Sequence, residues 1–315
     1  MSIKRFVKTP LGQVLFYIPK KIVIWGLNTK AARFIKYKPY MEDEEYIRKK
    51  YKQLFGKEIN LQNPRSFNEK SNWRKLYDRK DIYTLMVDKY RLKEIVTDKV
   101  GKQYTFPLLG VWDTPDEIDY DSLPNQFVLK ANHAGGVIVC RNKESFNRKT
   151  AERELKKVQQ INYYYTSREW PYKNVDRKII AESYMGENLV DYKNYCFNGK
   201  VEYTFVWENE SRKDGRKPTA YFCGAYDRKW ERSEIEIDYP SKDVIVNKPA
   251  CYDTMIEIAE KMSKGIPFVR VDCYVIDDNV YIGEMTFFPW GGWQKFKDEY
   301  WDEYLGDLEE LPMDH

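Results

Sequence analysis

Histidine is almost missing from this chain: among 315 residues only His133 and His315 occur. That argues against a zinc centre, whose ligand sets draw on His and Cys. A Ser-His or Cys-His nucleophile would have to rely on one internal histidine. The five cysteines, Cys140, Cys196, Cys223, Cys251 and Cys273, are widely spaced and form no Cys-x-x-Cys. They read as reduced, mostly buried thiols of a cytoplasmic protein. No apolar run approaches the roughly 18–20 residues of a membrane span, and the N-terminus lacks the apolar core and cleavage site of a signal peptide. Low-complexity stretches, internal repeats and a Gly-Lys-Ser/Thr phosphate loop are missing too. The net charge of +4, from 53 basic and 49 acidic residues, is too balanced to argue for nucleic acid.

Acidic residues are missing locally. Residues 1–40 hold Lys4, Arg5, Lys8, Lys20, Lys21, Lys30, Arg33, Lys36 and Lys38 without one Asp or Glu. Together with apolar Val14 to Leu27, this basic extension leaves two readings open. One is an interfacial segment on the inner, anionic membrane surface; the other is a pair of short helices packed on the protein body.

What is present in quantity is aromatic: 26 Tyr and 9 Trp. Such amphipathic rings suit half-buried, wet walls, including those of sugar sites, and equally the edges of cores. The length exceeds what one compact core needs, so two or three lobes are expected. Glu42 to Phe55 reads as an amphipathic helix closed by Gly56. Ser66 and Glu69 form a capping box for the next helix, and 81–100 reads as one further helix ended by Gly101. Strands are expected at 108–112, 127–130, 137–140, 177–181, 192–197 and 201–207, with Asn198-Gly199 as a hairpin turn. Lys213 to Lys217 reads as a polar loop, and 251–264 as a helix. Two strands, 268–276 and 280–285, follow around an Asp277–Asn279 turn. Helices first and antiparallel hairpins later imply an α+β architecture rather than a doubly wound sheet.

Three elements carry chemistry. On the last two strands, Arg270 and Asp272 share a face by their even spacing, as do Glu284 and Thr286. Antiparallel pairing gathers two carboxylates, a guanidinium and a hydroxyl there. This is either a Mg²⁺ site completed by phosphates or a cross-strand Arg–Glu pair. Second, Lys130 leads into a loop ending in Gly135-Gly136, whose amides can turn toward phosphate oxygens. Third, the apolar strand before Glu182, Tyr184 and Met185 ends in a connector whose backbone can meet an adenine edge.

The order of these elements matches the plan of the ATP-grasp fold. NPRSFNEKSNWRKLYDR (63–79), VDKYRLK (87–93), LPNQFVLKANHAGG (123–136), REWPYKN (168–174), DYKNYCFNGK (191–200) and PFVRVDCYVIDDNVYIGEMTFFPWGG (267–292) resemble the TupA-like ATP-grasp family. That family is named for teichuronopeptide synthesis and occurs in gene sets for bacterial surface polysaccharides. The resemblance implies two α+β lobes clasping ATP, with a helical N-terminal extension. The expected divisions are 1–40, a basic extension; 41–112, a helical region; 113–189, a small lobe; and 190–315, a large lobe.

It also implies roles. Lys89 and Lys130 would contact ATP phosphates beneath a loop holding His133, Gly135 and Gly136. Glu182, Tyr184 and Met185 would frame adenine, and Asp191 would meet the ribose. Asp272 and Glu284 would ligate Mg²⁺, with Thr286 where relatives carry Asn, and Arg270 would face the transferred phosphoryl group. The amides of Gly291 and Gly292 would hold an oxyanion. The implied reaction phosphorylates a carboxylate to an acyl phosphate, which an amine then attacks. A uronic acid of a capsular or cell-surface glycan is the expected carboxylate, and an amino acid or other amine its partner. The alternatives are a phosphotransferase acting on a glycan hydroxyl, and an ATP-binding scaffold at the membrane surface.

Overall fold

In the computed structural model, residues 41–187, 189–210 and 219–313 are described. The expectations for residues 1–40 and for the 213–217 loop lie outside them.

Helix α1 (Asp43–Phe55) buries Tyr46, Ile47 and Tyr51 and stops at Gly56, whose φ of 72° a glycine adopts without strain. Helix α2 (Phe67–Tyr77) starts at the expected capping box, Ser66 and Glu69 each accepting the other's backbone N–H. The single helix expected over 81–100 is instead two, α3 (Asp81–Val87) and α4 (Arg91–Lys99). The Asp88 carboxylate causes the break: it accepts the Tyr90 N–H at 2.8 Å and the Arg91 N–H at 3.4 Å, restarting the helix. Lys89, released from helical pairing, donates its backbone N–H to the Asn132 carbonyl.

Strands β1 (Leu108–Trp112), β2 (Phe127–Ala131), β3 (Ile138–Cys140) and β4 (Ile179–Ser183) form an antiparallel sheet in the order β1-β4-β2-β3. Its edge strand β1 comes from the stretch expected to precede the small lobe. β4 runs two residues later than expected, because Lys178 is held outside the ladder by the Asn132 side chain. The shift draws Glu182 into the sheet. Helix α5 (Arg148–Gln159) covers the sheet through Ala151 and Leu155, and the single turn α6 (Tyr164–Ser167) follows.

The second sheet, also antiparallel, contains β5 (Asp191–Phe197), β6 (Lys200–Glu210), β7 (Thr219–Asp227), β8 (Phe268–Ile276) and β9 (Asn279–Thr286), ordered β7-β6-β5-β8-β9. Asn198 and Gly199 turn with φ of 50° and 82°, as a two-residue hairpin demands. Asp277 and Asp278 do the same at 50° and 57°, so Asn279 is a strand residue rather than part of a three-residue turn. β7 and helix α8 (Tyr300–Asp307) had no clear sequence signal. Gly224 interrupts the strand pattern and Gly306 weakens the helical one.

Residue alternation sorts the two faces of this sheet. Cys196, Val269, Val271, Cys273 and Met285 pack on helix α7 (Tyr252–Ser263). The opposite face begins with Tyr195, Phe197, Phe205 and Phe268 against Phe67 of α2 and Leu305 of α8. Farther along that face the residues become charged, and there the candidate site lies. All five cysteines are unbridged. No described helix is long and apolar enough to cross a membrane.

The chain end is tied back by a buried ion pair, Arg74 Nε to Glu309 Oε1 at 2.6 Å, both side chains at 1% exposure or less. Removing one partner strands the other charge in the core. Glu309→Leu is therefore expected to lower unfolding free energy by about 3–5 kcal/mol, read from urea denaturation. A change below about 1 kcal/mol would mean that the pair is not buried as described.

Candidate functional site

The β8–β9 pairing sets Asp272 opposite Glu284 and Arg270 opposite Thr286. A bulge follows, leaving Gly283 without a partner, and a Cβ there would come within 2.6 Å of the Tyr274 ring. Only glycine fits that bulge unchanged. The four side chains then meet as the spacing predicts. The Arg270 guanidinium donates twice to Asp272, at 2.6 Å each, and once to Thr286 Oγ1 at 3.1 Å. Thr286 donates onward to Glu284 at 2.9 Å, and Lys89 closes the line on Glu284 at 2.7 Å. The arginine thus pairs with the acid on its own strand, not with Glu284 across the hairpin.

β5 contributes Asp191 and Lys193. Lys193 bridges Asp191 and Asp272, the latter at 3.2 Å. Sequence reasoning missed Lys193, although its place two residues after Asp191 in the DYKNYCFNGK stretch puts both on one face. Burial raises the Glu284 carboxyl, but Lys89 and Arg270 outweigh it and hold it at about 2. Burial raises Asp191 as well, and Asp272 adds to the rise despite Lys193. Asp191 Oδ1 is buried without a hydrogen-bond partner.

On the other sheet, Lys130 of β2 and Lys93 of α4 both reach Glu182, Lys93 at 2.6 Å. Lys93 was also missed. It stands four residues after Lys89 in VDKYRLK, and that spacing was the available signal. Burial pushes the Glu182 carboxyl up, but the two lysines outweigh it and leave it below its usual value. Lys89, Lys130, Gly135, Gly136, Asp191, Lys193, Arg270, Asp272 and Glu284 enclose a cavity of about 210 Å³ between the sheets.

Other expected residues lie elsewhere. His133 is buried, its Nε2 against the Ile161 carbonyl, and burial lowers it to about 4, so it is a neutral core residue. The Glu182 carboxylate faces two lysines rather than a free cavity. Tyr184 and Met185 are half-buried in the connector from β4 to β5, apart from the cavity lining. Gly291 and Gly292 cannot serve as oxyanion donors in this arrangement. Their N–H groups bond the Phe288 and Pro289 carbonyls at 2.8 and 2.9 Å, so the turn itself consumes the donors. Their carbonyls accept from Lys75 and Asn72 of α2.

Among the described residues no group of three His, Cys, Asp or Glu is already disposed as a metal cage. The donor set nevertheless suits Mg²⁺, which takes one or two carboxylates and completes its shell with phosphate and water. Asp272 and Glu284 stand opposite one another, and Asp191, whose Oδ1 is unpartnered, shares Lys193 with Asp272.

Two antiparallel sheets closing on a lysine-lined cavity beneath a Gly-Gly loop define an ATP-grasp fold. The model of the TupA-like ATPgrasp family matches residues 69–309, and the chain belongs to that family. Comparison with curated proteins finds no match. Among solved structures, D-alanine–D-alanine ligase from Bacillus anthracis is 16% identical, with a TM-score of 0.38 over 64% of this chain and 57% of that one. The L-amino acid ligase from Bacillus licheniformis is 14% identical, with a TM-score of 0.40 over 70% and 48%. The D-alanine–D-alanine ligase of Helicobacter pylori is 12% identical, with a TM-score of 0.40 over 79% and 71%. The chain thus spans about half the length of the first two.

Two outcomes test the geometry. Glu284, held low, stabilises the fold above its ordinary value of 4.5, and this is lost as the pH falls toward about 2. Lys89→Met should move its titration upward in a carboxyl-carbon NMR series; an unmoved Glu284 would contradict the pairing. Thr286→Val leaves one oxygen of Glu284 and one Arg270 N–H unpaired and should cost about 1–3 kcal/mol in thermal unfolding. Thr286→Ser should retain most of the stability.

Proposed function

We propose that this protein is an ATP- and Mg²⁺-dependent ligase that joins a carboxylate to an amine through an acyl phosphate. The observation that carries the reading is the cavity between the sheets, where Lys89, Lys130, Lys193 and Arg270 surround Asp191, Asp272 and Glu284. Such a wall suits a polyanion, and its cations already have carboxylates to exchange for phosphates. When bound, Mg²⁺ supplies charge neutralisation and Lewis acidity at the phosphates; Asp272 and Glu284, with Asp191 beside them, would hold it. Lys89 and Lys130 would leave Glu284 and Glu182 for phosphate oxygens. Gly135 and Gly136 would offer backbone amides from above. The connector through Tyr184 and Met185 would border the adenine.

In the proposed reaction a substrate carboxylate oxygen attacks the terminal phosphorus and ADP departs. The amine then attacks the acyl carbon and phosphate leaves. Neither step needs a protein nucleophile, which agrees with the burial of His133 and of Cys140, Cys196, Cys223 and Cys273. Arg270 stands among the acids to meet the transferred group. The carboxylate we assign is a uronic acid of a bacterial surface glycan or its precursor, the substrate that the family resemblance favours.

ATP consumption should require both a uronic acid and an amine, with the amide seen by mass spectrometry. Asp272→Asn and Glu284→Gln should each reduce turnover about 100-fold or more. Phosphate on a hydroxyl without any amine requirement would make the protein a phosphotransferase. Full activity of Asp272→Asn in cells would leave ATP as a structural ligand only.

A further inference from the structure

A second concavity lies beside the charged cavity and takes no part in the nucleotide site. It measures about 160 Å³ and is lined by Ile237, Asp238, Trp290, Trp293 and Lys295. Trp290 leads its wall. This residue sits at φ 56°, ψ 25°, left-handed backbone that a bulky side chain seldom adopts. Strain of this kind persists only where surrounding structure imposes it. Here α2 does so: Lys75 Nζ donates to the Gly291 carbonyl at 2.5 Å and Asn72 to the Gly292 carbonyl at 2.8 Å. The Trp207 and Tyr239 rings back the indole, with centroids at 6.1 and 5.1 Å. Despite that backing, Trp290 keeps 45% of its surface exposed. A large ring held rigid, strained and half bare is a platform in want of a partner.

The polar groups around the platform are uncommitted. Neither the Asp238 carboxylate nor the Lys295 ammonium bonds to any side chain among the described residues, whereas the neighbouring Glu236 and Lys297 pair with each other at 2.9 Å. Trp207, whose ring backs Trp290, pairs across β5–β6 with Asp191, which lines the charged cavity, so the two concavities are neighbours on one face of the sheet.

We propose that this cleft binds the acceptor as a pyranose ring, its C–H face stacked on Trp290. Ring hydroxyls donate to Asp238 and accept from Lys295. The amphipathic faces of a sugar match an aromatic plate rimmed by an acid and a base. Its placement as acceptor rests on the ligase reading above; the cleft itself stands on its own geometry.

Isothermal titration of the full chain with methyl glucuronide and methyl glucoside, with ATPγS measured separately, tests this. Trp290→Gly suits the left-handed backbone and removes only the plate. It should weaken methyl glucuronide about tenfold and leave ATPγS affinity unchanged, while Trp290→Phe retains part of the binding. Lys295→Met should weaken both pyranosides about threefold. The proposal is overturned if the ATPγS-binding wild type takes up neither pyranoside, if Trp290→Gly binds them undiminished, or if a free amino acid binds the cleft more tightly. Pyranoside binding in a chain that makes no amide would keep the cleft and remove the ligase reading. Amide formation from other carboxylates, with no pyranoside bound, would do the reverse.

Discussion

At one end of the β5–β8–β9 surface, burial forces opposite charges to satisfy one another, and much of the structure follows from that. Asp191, Asp272 and Glu284 are matched by Lys89, Lys193 and Arg270. An unpaired ion in such a place costs several kcal/mol, and a pair repays this only with good geometry. The geometry comes from elements far apart in sequence. β8 and β9 fix the arginine and two acids, β5 adds an acid and a lysine, and the break between α3 and α4 supplies Lys89. Glu182, between Lys93 and Lys130, repeats the arrangement on the other sheet.

A site neutralised from within has a chemical consequence. A nucleotide triphosphate brings several negative charges, and cations that faced bulk water would have to be desolvated to meet it. Here the lysines and Arg270 are already dehydrated, held by carboxylates that a divalent cation can take over. In the proposed reaction, binding is then an exchange of partners, with little new desolvation. Thr286 suits that exchange. Its hydroxyl accepts from Arg270 and donates to Glu284, so it orients both neighbours and has little left to give a metal. In this arrangement Thr286 is a positioning group between the two.

The β8–β9 face was legible in the sequence because strand alternation is a period of two and the hairpin turn is short. Arg270, Asp272, Glu284 and Thr286 therefore shared a face before any coordinates. The capping box at Ser66 and the Asn198-Gly199 hairpin were legible for the same local reason. Contacts that depend on tertiary competition were not. The Asp88 cap is local, but the apolar pattern of Leu85, Val87 and Leu92 runs across it and hides the break that places Lys89. Lys178 looked like the second residue of a strand until Asn132 claimed its N–H. The amides of Gly291 and Gly292, expected from the resemblance to hold an oxyanion, are consumed by the turn's own hydrogen bonds. Lys193 and Lys93 are ordinary lysines in sequence; only their neighbours across the fold give them a role.

Helix α2 links the two concavities. Its Arg74 guanidinium donates to the carbonyl of Phe287, one residue beyond Thr286, at 2.9 Å, while Asn72 and Lys75 hold the turn that follows. Lys75 is fully buried, and burial lowers it to about 7. Such a side chain is tolerated because it donates to Asn72 and Gly291 and lies 4.1 Å over the Trp293 ring. One helix thus grips the strand that carries Glu284 and, six residues after that acid, the strained turn that carries Trp290. The register of the acids and the pitch of the indole plate are set by the same rigid body. Ser66 and Glu69, which start that helix, therefore act on both sites from a distance.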